Sequence, residues 1–167
     1  GKGVLTDERF VIWTTTPWTI PANLAICLNP RFEYAVVNTE KGKLIVLSTM
    51  VDKLCDKFHL EQREIIKTYR GQELENITVK HPFYDRTSVI ILGDHVTDED
   101  GTGCVHTAPG HGMEDFIVGL KYGLPAYCPV DEKGCMMEEA GDFLQGQFVT
   151  DANKTVTTKL DELGNLL

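Results

Sequence analysis

The sequence predicts an α+β fold that is mostly β, with an antiparallel, barrel-like core and flanking helices. Short runs of β-branched and aromatic residues recur, turn-forming residues separate most of them, and three segments carry the apolar spacing of amphipathic helices. Strands and helices do not alternate regularly, which disfavours a parallel α/β sheet. The length of 167 residues predicts a single domain over residues 1–167 that buries its own core.

The predicted strands lie between residues 10 and 92. They occupy residues 10–13, 34–37, 44–47, 64–69, 77–79 and 88–92. Residues 40–43 read EKGK, which predicts a hairpin turn between the second and third of these strands.

Three helices are predicted from apolar residues that recur with the period of an α-helix. Their apolar positions are Val51, Leu54, Cys55 and Phe58; Met113, Phe116, Ile117, Leu120 and Leu124; and Val156, Leu160, Leu163 and Leu167. Ser48 and Asp151 are the predicted N-caps of the first and third helices, and Gly123 is the predicted C-cap of the second. The chain ends in or just after the third helix, which suggests a piece of a longer protein.

The composition is that of a soluble globular protein, with 42% hydrophobic and 25% charged residues. No apolar run approaches the roughly 18 residues of a membrane span. The first residues lack the apolar segment of a secretory signal, which favours a cytoplasmic location.

The net charge of −9 disfavours a domain that grips the phosphate backbone of a nucleic acid. If the chain meets a nucleic acid, we expect it to contact a short end. The cysteines, Cys27, Cys55, Cys104, Cys128 and Cys135, are odd in number and show no C-x-x-C spacing. They predict reduced thiols rather than a disulfide framework or a zinc ribbon.

Residues 13–23 read WTTTPWTIPAN and form the first candidate site. Thr14, Thr15 and Thr16 offer three consecutive hydroxyls, and the prolines that follow fix the backbone. Asn23 adds an amide that can both donate and accept hydrogen bonds. The alternative is a strand edge in which the threonines satisfy nearby backbone groups.

Residues 101–116 read GTGCVHTAPGHGMEDF and form the second candidate site. This loop carries His106 and His111 and runs into the second predicted helix, whose first turn includes Asp115. Loops of this kind present binding groups on a rigid scaffold. The alternative is an acidic residue that stabilises a helix N-terminus, beside ordinary loop histidines.

Metal binding and a thiol nucleophile are weaker alternatives for the second loop. Its candidate ligands are Cys104, His106, His111, Glu114 and Asp115. The histidines are not spaced as H-E-x-x-H and no paired thiolates complete a site, so we expect no metal. A Cys–His pair using Cys104 or Cys27 is a further alternative. No glycine-rich phosphate loop of the P-loop or dinucleotide type is present.

WTTTPWTIPAN followed by GTGCVHTAPGHGMED resembles the editing domain of isoleucyl-tRNA synthetases, the CP1 insertion of these class I enzymes. The resemblance extends over nearly the whole chain. The relatives that edit for valine and leucine carry T-T-R-P, where this chain has Thr16-Pro17 after Thr14-Thr15. The resemblance implies a β-barrel-like core with flanking helices, excised from a larger synthetase.

The resemblance implies an aminoacyl-ester hydrolase that performs post-transfer editing. Its substrate is misformed valyl-tRNA(Ile), and it rejects the isoleucyl group by size. Asp115 would bind the α-ammonium, while Thr14, Thr15 and Thr16 would hold the ester, the ribose and the attacking water. Of these, Asp115, Thr15 and Thr16 are the expected catalytic residues. Pre-transfer editing of the adenylate stays open.

The resemblance also implies binding residues around this centre. Trp13 and His106 would line the side-chain pocket, and Asn23 would support the threonines or the substrate. His111 would contact the adenosine or support another site residue.

The implied partners are the 3′ aminoacylated end of tRNA(Ile) and the rest of the parent synthetase. No cofactor is expected in this domain, because ATP and zinc would belong to other domains of the parent. The isolated domain is expected to be monomeric and not membrane-bound. Two alternatives remain: a catalytically silent module that binds the aminoacyl end, and a metal-dependent hydrolase.

Overall fold

The computed structural model describes residues 8–98 and 101–166. Within them the strands are β1 (Arg9–Phe10), β2 (Ala25–Leu28), β3 (Glu33–Thr39), β4 (Gly42–Leu47), β5 (Glu64–Arg70), β6 (Thr78–Lys80), β7 (Thr87–Leu92) and β8 (Val105–Thr107). The helices are α1 (Val51–Lys57), α2 (Met113–Lys121) and α3 (Val149–Glu162). Short 3-10 turns occupy Pro17–Ala22, Ser48–Met50, Gly71–Leu74 and Glu138–Ala140. The structure is mixed α+β and mostly sheet, as predicted.

The strands form two four-stranded sheets, with orders β1-β4-β3-β5 and β6-β7-β2-β8. In the first sheet β3 pairs antiparallel with both β4 and β5, and the predicted EKGK hairpin turn is confirmed by the pairing of Thr39 with Gly42. However, β1 pairs parallel with β4, and β2 pairs parallel with β7. The first sheet is therefore mixed and the second contains a parallel pair, because long connections bring non-sequential strands side by side. The barrel-like closure stays a prediction.

Two strands differ from the sequence prediction. β2 reads AICL and is buried along its whole length, so it lacks the alternating pattern that predicts a strand. β8 lies inside the glycine-rich second motif and has only three residues. Conversely, the predicted strand over residues 10–13 is in β1 only at Phe10, although the Val11 N–H still bonds to the Ile45 carbonyl at 3.2 Å.

The N-caps of α1 and α3 differ from the prediction. Ser48 begins a 3-10 turn ahead of α1, and its hydroxyl donates to Glu33 Oε1 at 3.1 Å instead of capping the helix. Helix α3 begins at Val149, so Asp151 lies in its first turn rather than at its cap. A carboxylate in the first turn still stabilises the positive end of the helix dipole.

The predicted stop at Gly123 is confirmed with its hydrogen bonds. Gly123 has φ +70°, and the Leu124 N–H bonds to the Gly119 carbonyl at 2.9 Å, which closes the end of α2. The apolar stripe of α2 is mainly its exposed side, since Met113 and Leu120 are 73% and 60% exposed while Val118 and Gly119 are buried. In α3, Val156 and Leu160 are buried and Leu163 is exposed; Leu167 lies outside the described residues.

The described residues form two compact units, and the single-domain assignment stays a prediction. The first unit lies within Gly1–Trp13, Ala25–Val79 and Val89–His106, and the second within Thr14–Leu24, Lys80–Ser88 and Thr107–Leu167. The core of the first is built on β3 and β4, where Tyr34 and Ile45 are fully buried. The core of the second contains Ile20, Met136, Ala140, Leu144, Ala152, Val156 and Leu160.

Ile20 links the second core to the first motif, because it lies in the 3-10 turn that follows the threonines. Burial of this side chain against α3 fixes the position of the turn. The threonines, which directly precede the turn, are therefore oriented by the same contact. Among the helices of the described residues, none has the length and apolar character needed to cross a membrane.

Candidate functional site

Residues 14–16, the threonine peptide, lead directly into the 3-10 turn Pro17–Ala22. Pro17 occupies the first position of the turn, where no N–H is needed. The Thr16 carbonyl accepts hydrogen bonds from the Thr19 N–H at 3.0 Å and from the Thr19 hydroxyl at 2.8 Å. These contacts fix the backbone of Thr16 and leave its side chain exposed.

The three threonine hydroxyls have different environments. Thr14 Oγ1 accepts the Thr16 N–H at 3.0 Å and lies 3.3 Å from Thr16 Oγ1, so it braces the peptide. Thr15 is exposed, and its hydroxyl has no hydrogen-bond partner in the part of the chain that the structure describes. Thr15 and Thr16 are therefore the hydroxyls that face outward and can meet a ligand.

Residues 107–112, the histidine loop, form a tight turn around Ala108. The His111 N–H donates to the Ala108 carbonyl at 2.9 Å, and the Ala108 N–H donates to Asp115 Oδ2 at 3.0 Å. Gly110 is needed for close approach, since a Cβ there would lie 2.2 Å from the Tyr127 carbonyl oxygen. The Asp115 carboxylate therefore closes the loop by a hydrogen bond while the side chain remains partly exposed to solvent.

Asp115 lies in the first turn of α2, whose N-cap is Gly112. The side chain is half-buried, and the helix N-terminus stabilises its negative charge. A carboxylate in this position can bind a cationic ligand group while it keeps its hydrogen bond to the loop backbone.

His111 contacts the turn that follows the threonine peptide. Its ring packs edge-on against Trp18 with centroids 4.9 Å apart, and burial lowers the pKa of the imidazole, which favours the neutral form. Its Nε2 is buried and has no hydrogen-bond partner among the described residues. The Leu24 N–H also donates to the Thr107 carbonyl at 3.1 Å. The structure therefore brings the two motifs together within the second unit.

Asn23 is buried and lies at the end of the 3-10 turn. Its Oδ1 accepts a short hydrogen bond from the Ser88 hydroxyl, and its N–H donates to the Ile20 carbonyl at 2.9 Å. These contacts favour support of the threonine peptide over direct contact with a ligand.

Further residues that the sequence did not single out hold the same turn. The Trp18 N–H donates to Asn153 Oδ1 at 2.9 Å. His81 is 1% exposed and its Nε2 lies 2.9 Å from the Ile20 carbonyl oxygen, while Arg86 binds the carbonyls of Pro21 and Asn23. For His81 and Arg86, the signal that could have found them is residues 81–86, HPFYDR, a dense mixture of aromatic and ionisable side chains.

Trp13 and His106 belong to the first unit. Trp13 is 50% exposed, and a Cβ on Gly101 would lie 3.6 Å from its Cδ1 atom. His106 is half-buried in the middle of β8.

The cysteine alternatives are disfavoured by burial. Cys104 and Cys27 are both buried in the first unit, and desolvation raises the pKa of the Cys104 thiol. A thiol that resists ionisation is a poor nucleophile. Across residues 8–98 and 101–166, no three ligating side chains of histidine, cysteine, aspartate or glutamate cluster in a way that could hold a metal ion.

The chain is 55% identical over its whole length to the isoleucine–tRNA ligase of Bacillus cereus (strain AH820). The identity to the isoleucine–tRNA ligase of Geobacillus thermodenitrificans (strain NG80-2) is also 55%. By sequence, the chain is similar to one segment of these isoleucine–tRNA ligases. It spans 18% of the length of each of these ligases. No family model matches the chain.

The fold is that of a synthetase editing domain. The structure aligns with the CP1 crystal structure of GlLeuRS at a TM-score of 0.71, with 17% identity, over 92% of this chain and 80% of that one. It aligns with the P. knowlesi cytosolic leucyl-tRNA synthetase editing domain at a TM-score of 0.69, with 10% identity, over 93% and 82% of the two chains. The α+β, mostly β prediction and the resemblance to CP1 editing domains are confirmed.

Proposed function

We propose that the chain edits tRNA(Ile) by hydrolysing a valyl group that has been misattached to its 3′ end. Isoleucine and valine differ by one methylene, and one binding pocket separates them poorly, a limit for which the isoleucyl enzyme is itself the standard example. A second site that admits only the smaller group then removes the error. The observation that carries the proposal is the contact of the histidine loop with Trp18 and Leu24, which follow the threonine peptide, in a chain 55% identical to isoleucine–tRNA ligases.

The residues divide the task by their chemistry. Asp115 binds the α-ammonium, which every aminoacyl ester carries, so it holds the substrate without reading its side chain. Thr15 and Thr16 offer exposed hydroxyls to the ester and the water, while Thr14 braces their backbone. The resemblance assigns rejection of the isoleucyl side chain to Trp13 and His106.

The reaction is attack of water on the ester carbonyl carbon. The carbon–oxygen bond to the ribose then breaks, the ribose oxygen takes a proton, and valine leaves as a free amino acid. An aminoacyl ester is already activated, so positioning and stabilisation of the developing oxyanion can supply the rate without a metal or a covalent intermediate. The neutral imidazole of His111, with its unpartnered Nε2, is suited to contact the terminal adenosine.

The partners follow from this reaction. We propose the 3′ end of tRNA(Ile) as the ligand and the remaining domains of a cytoplasmic synthetase as the source of tRNA binding. The net charge of −9 supports this division, because the domain itself offers little attraction to phosphates. A second candidate is a module that binds the aminoacyl end without hydrolysing it. The same charge supports it, because weak attraction to tRNA makes the isolated domain a poor catalyst.

Binding and hydrolysis are tested separately. Calorimetric titration with non-hydrolysable valyl- and isoleucyl-adenosine analogues measures the size discrimination, and we expect binding of the valyl compound alone. Deacylation of valyl-tRNA(Ile) then distinguishes the hydrolase from the silent module. We expect the rate to be unchanged by a chelator, and a loss that zinc restores would favour the metal-dependent hydrolase. Equal binding of both analogues would contradict the size discrimination.

A further inference from the structure

Arg86 contacts the backbone of the turn that carries the threonine peptide. Its Nη2 donates to the Pro21 carbonyl oxygen at 2.5 Å and to the Asn23 carbonyl oxygen at 3.1 Å. Hydrogen bonds from a charged donor are shorter and roughly twice as strong as neutral ones. One guanidinium nitrogen therefore fixes both carbonyls at the end of the 3-10 turn.

The Arg86 guanidinium also lies over two tyrosine rings. Its Cζ lies 4.8 Å from the centroid of Tyr84 and 5.4 Å from that of Tyr127. Its Nε is buried without a hydrogen-bond partner, and no carboxylate pairs with it in the part of the chain that the structure describes. The carbonyls and the ring faces are thus what balance this charge.

Tyr127 extends this contact to the histidine loop. Its backbone carbonyl lies against Gly110 so closely that a Cβ at Gly110 would be 2.2 Å from the oxygen. Arg86 therefore contacts the end of the threonine turn through its Nη2 donors and the Tyr127 ring through its guanidinium group, and the backbone of Tyr127 lies against the histidine loop. All of these residues belong to the second unit.

We propose that Arg86 is a positioning residue that sets the threonine peptide against the histidine loop. It does not touch the substrate; it acts through the carbonyls of Pro21 and Asn23 and the ring of Tyr127. Its effect on catalysis rests on the proposed editing function, whereas its effect on the turn does not. The two effects are therefore measured separately.

The first measurement is amide hydrogen exchange in Arg86→Met. The Thr19 and Asn23 amides bond within the turn, to the carbonyls of Thr16 and Ile20, and they report its local opening. We expect these amides to exchange at least tenfold faster in the variant, while amides inside α3 keep their wild-type rates. Unchanged exchange at Thr19 and Asn23 would overturn the proposal, whether or not the chain is a hydrolase.

The second measurement is the deacylation rate of valyl-tRNA(Ile) per folded molecule. We expect Arg86→Met to lower kcat at least tenfold and to change KM less than about threefold, because Asp115 still binds the ammonium. Arg86→Lys keeps the charge and one donor nitrogen but loses the planar fork, so it should recover part of kcat. Val36→Ala, in the buried face of β3 in the first unit, is the control for lost stability and should keep kcat.

The outcomes separate the two proposals. A folded Arg86→Met that retains kcat within twofold of an active wild type overturns the role of Arg86. A wild type that binds no aminoacyl analogue and deacylates nothing contradicts the editing function. In that case the exchange rates at Thr19 and Asn23 still decide whether Arg86 holds the turn.

Discussion

The threonine peptide and the histidine loop are both short and polar, yet different parts of the chain hold them. Residues close in sequence hold the histidine loop, through the bonds of Ala108 to His111 and Asp115. Residues far along the chain hold the turn after the threonine peptide, since His81 and Asn153 are 61 and 135 positions from their partners. The hydrogen bonds within the histidine loop are thus local, whereas the turn after the threonine peptide depends on distant residues of the second unit.

The largest effect should come from Asp115, which serves the histidine loop and the substrate together. In Asp115→Ala we expect deacylation of valyl-tRNA(Ile) to fall by at least about a hundredfold, since hydrogen bonds to a charged group contribute about 1.5–3 kcal/mol and the substrate loses its ion pair as well. The rate is measured in single-turnover deacylation.

Two controls sharpen this prediction. Asp115→Asn can still accept the Ala108 N–H, so it should keep the loop but lose the charge that binds the ammonium. Glu114→Ala removes an exposed carboxylate from the same turn of α2 and should leave the rate unchanged. Normal deacylation by Asp115→Ala would contradict the role proposed for the carboxylate.

A large loss of stability is expected from His81, the buried residue behind the threonine turn. Its Nδ1 accepts the N–H groups of Phe83 and Tyr84 at 3.2 and 3.1 Å, and its Nε2–H donates to the Ile20 carbonyl at 2.9 Å. His81→Phe keeps a ring but removes all three bonds and leaves the half-buried N–H groups of Phe83 and Tyr84 without this acceptor, so the free energy of unfolding should fall by about 3 kcal/mol.

The measurement for His81 is unfolding in urea, followed by exchange at the Asn23 amide. His81→Asn is the matched variant, because its side-chain oxygen can still accept from the following N–H groups. It should lose clearly less stability than the phenylalanine variant. Equal losses in the two variants would mean that ring packing, and not hydrogen bonding, holds the turn.

A smaller effect is expected at Gly110, where the histidine loop meets Tyr127. In Gly110→Ala the new Cβ would lie 2.2 Å from the Tyr127 oxygen, so backbone must move, and we expect a loss of about 2 kcal/mol in unfolding free energy. Gly112→Ser is the control, because Gly112 is extended at φ −165° and a Cβ there meets ordinary contacts of 3.7 Å or more. Equal stability of both variants would contradict the close approach.

The contrast between the two loops also explains what the sequence could predict. The turn into α2, the stop at Gly123 and the EKGK hairpin depend on neighbouring residues, and all three follow from local patterns. The loop residues of the candidate site could be named for the same reason. The resemblance to editing domains added their roles, which the residue pattern alone leaves open.

What the sequence could not show is long-range. β2 pairs with a strand far along the chain, since Ala25 lies beside Val89 in β7. The buried AICL run of β2 also lacks the alternating pattern by which a strand is predicted. The stretch HPFYDR marks Arg86 and His81 as unusual, but their role is visible only when the fold places the carbonyls of the threonine turn beside them. Helix periodicity likewise predicted α2, but not that its apolar stripe would remain exposed.

The smallest effect is a pH dependence at His111, whose side chain joins the histidine loop to Trp18 in the threonine turn. Burial lowers the pKa of His111, so the unfolded chain binds a proton more readily than the folded one. Stability from this group is complete above the unfolded pKa of about 6.5 and is lost as the pH falls below it. His111→Phe keeps an aromatic contact for Trp18 but cannot titrate. Comparing urea midpoints of the two proteins between pH 7.5 and about 5 should therefore show a steeper decline in the wild type. Parallel declines would mean that His111 gains a proton as easily in the folded chain as in the unfolded one, and that the contact between the two loops does not depend on a neutral imidazole.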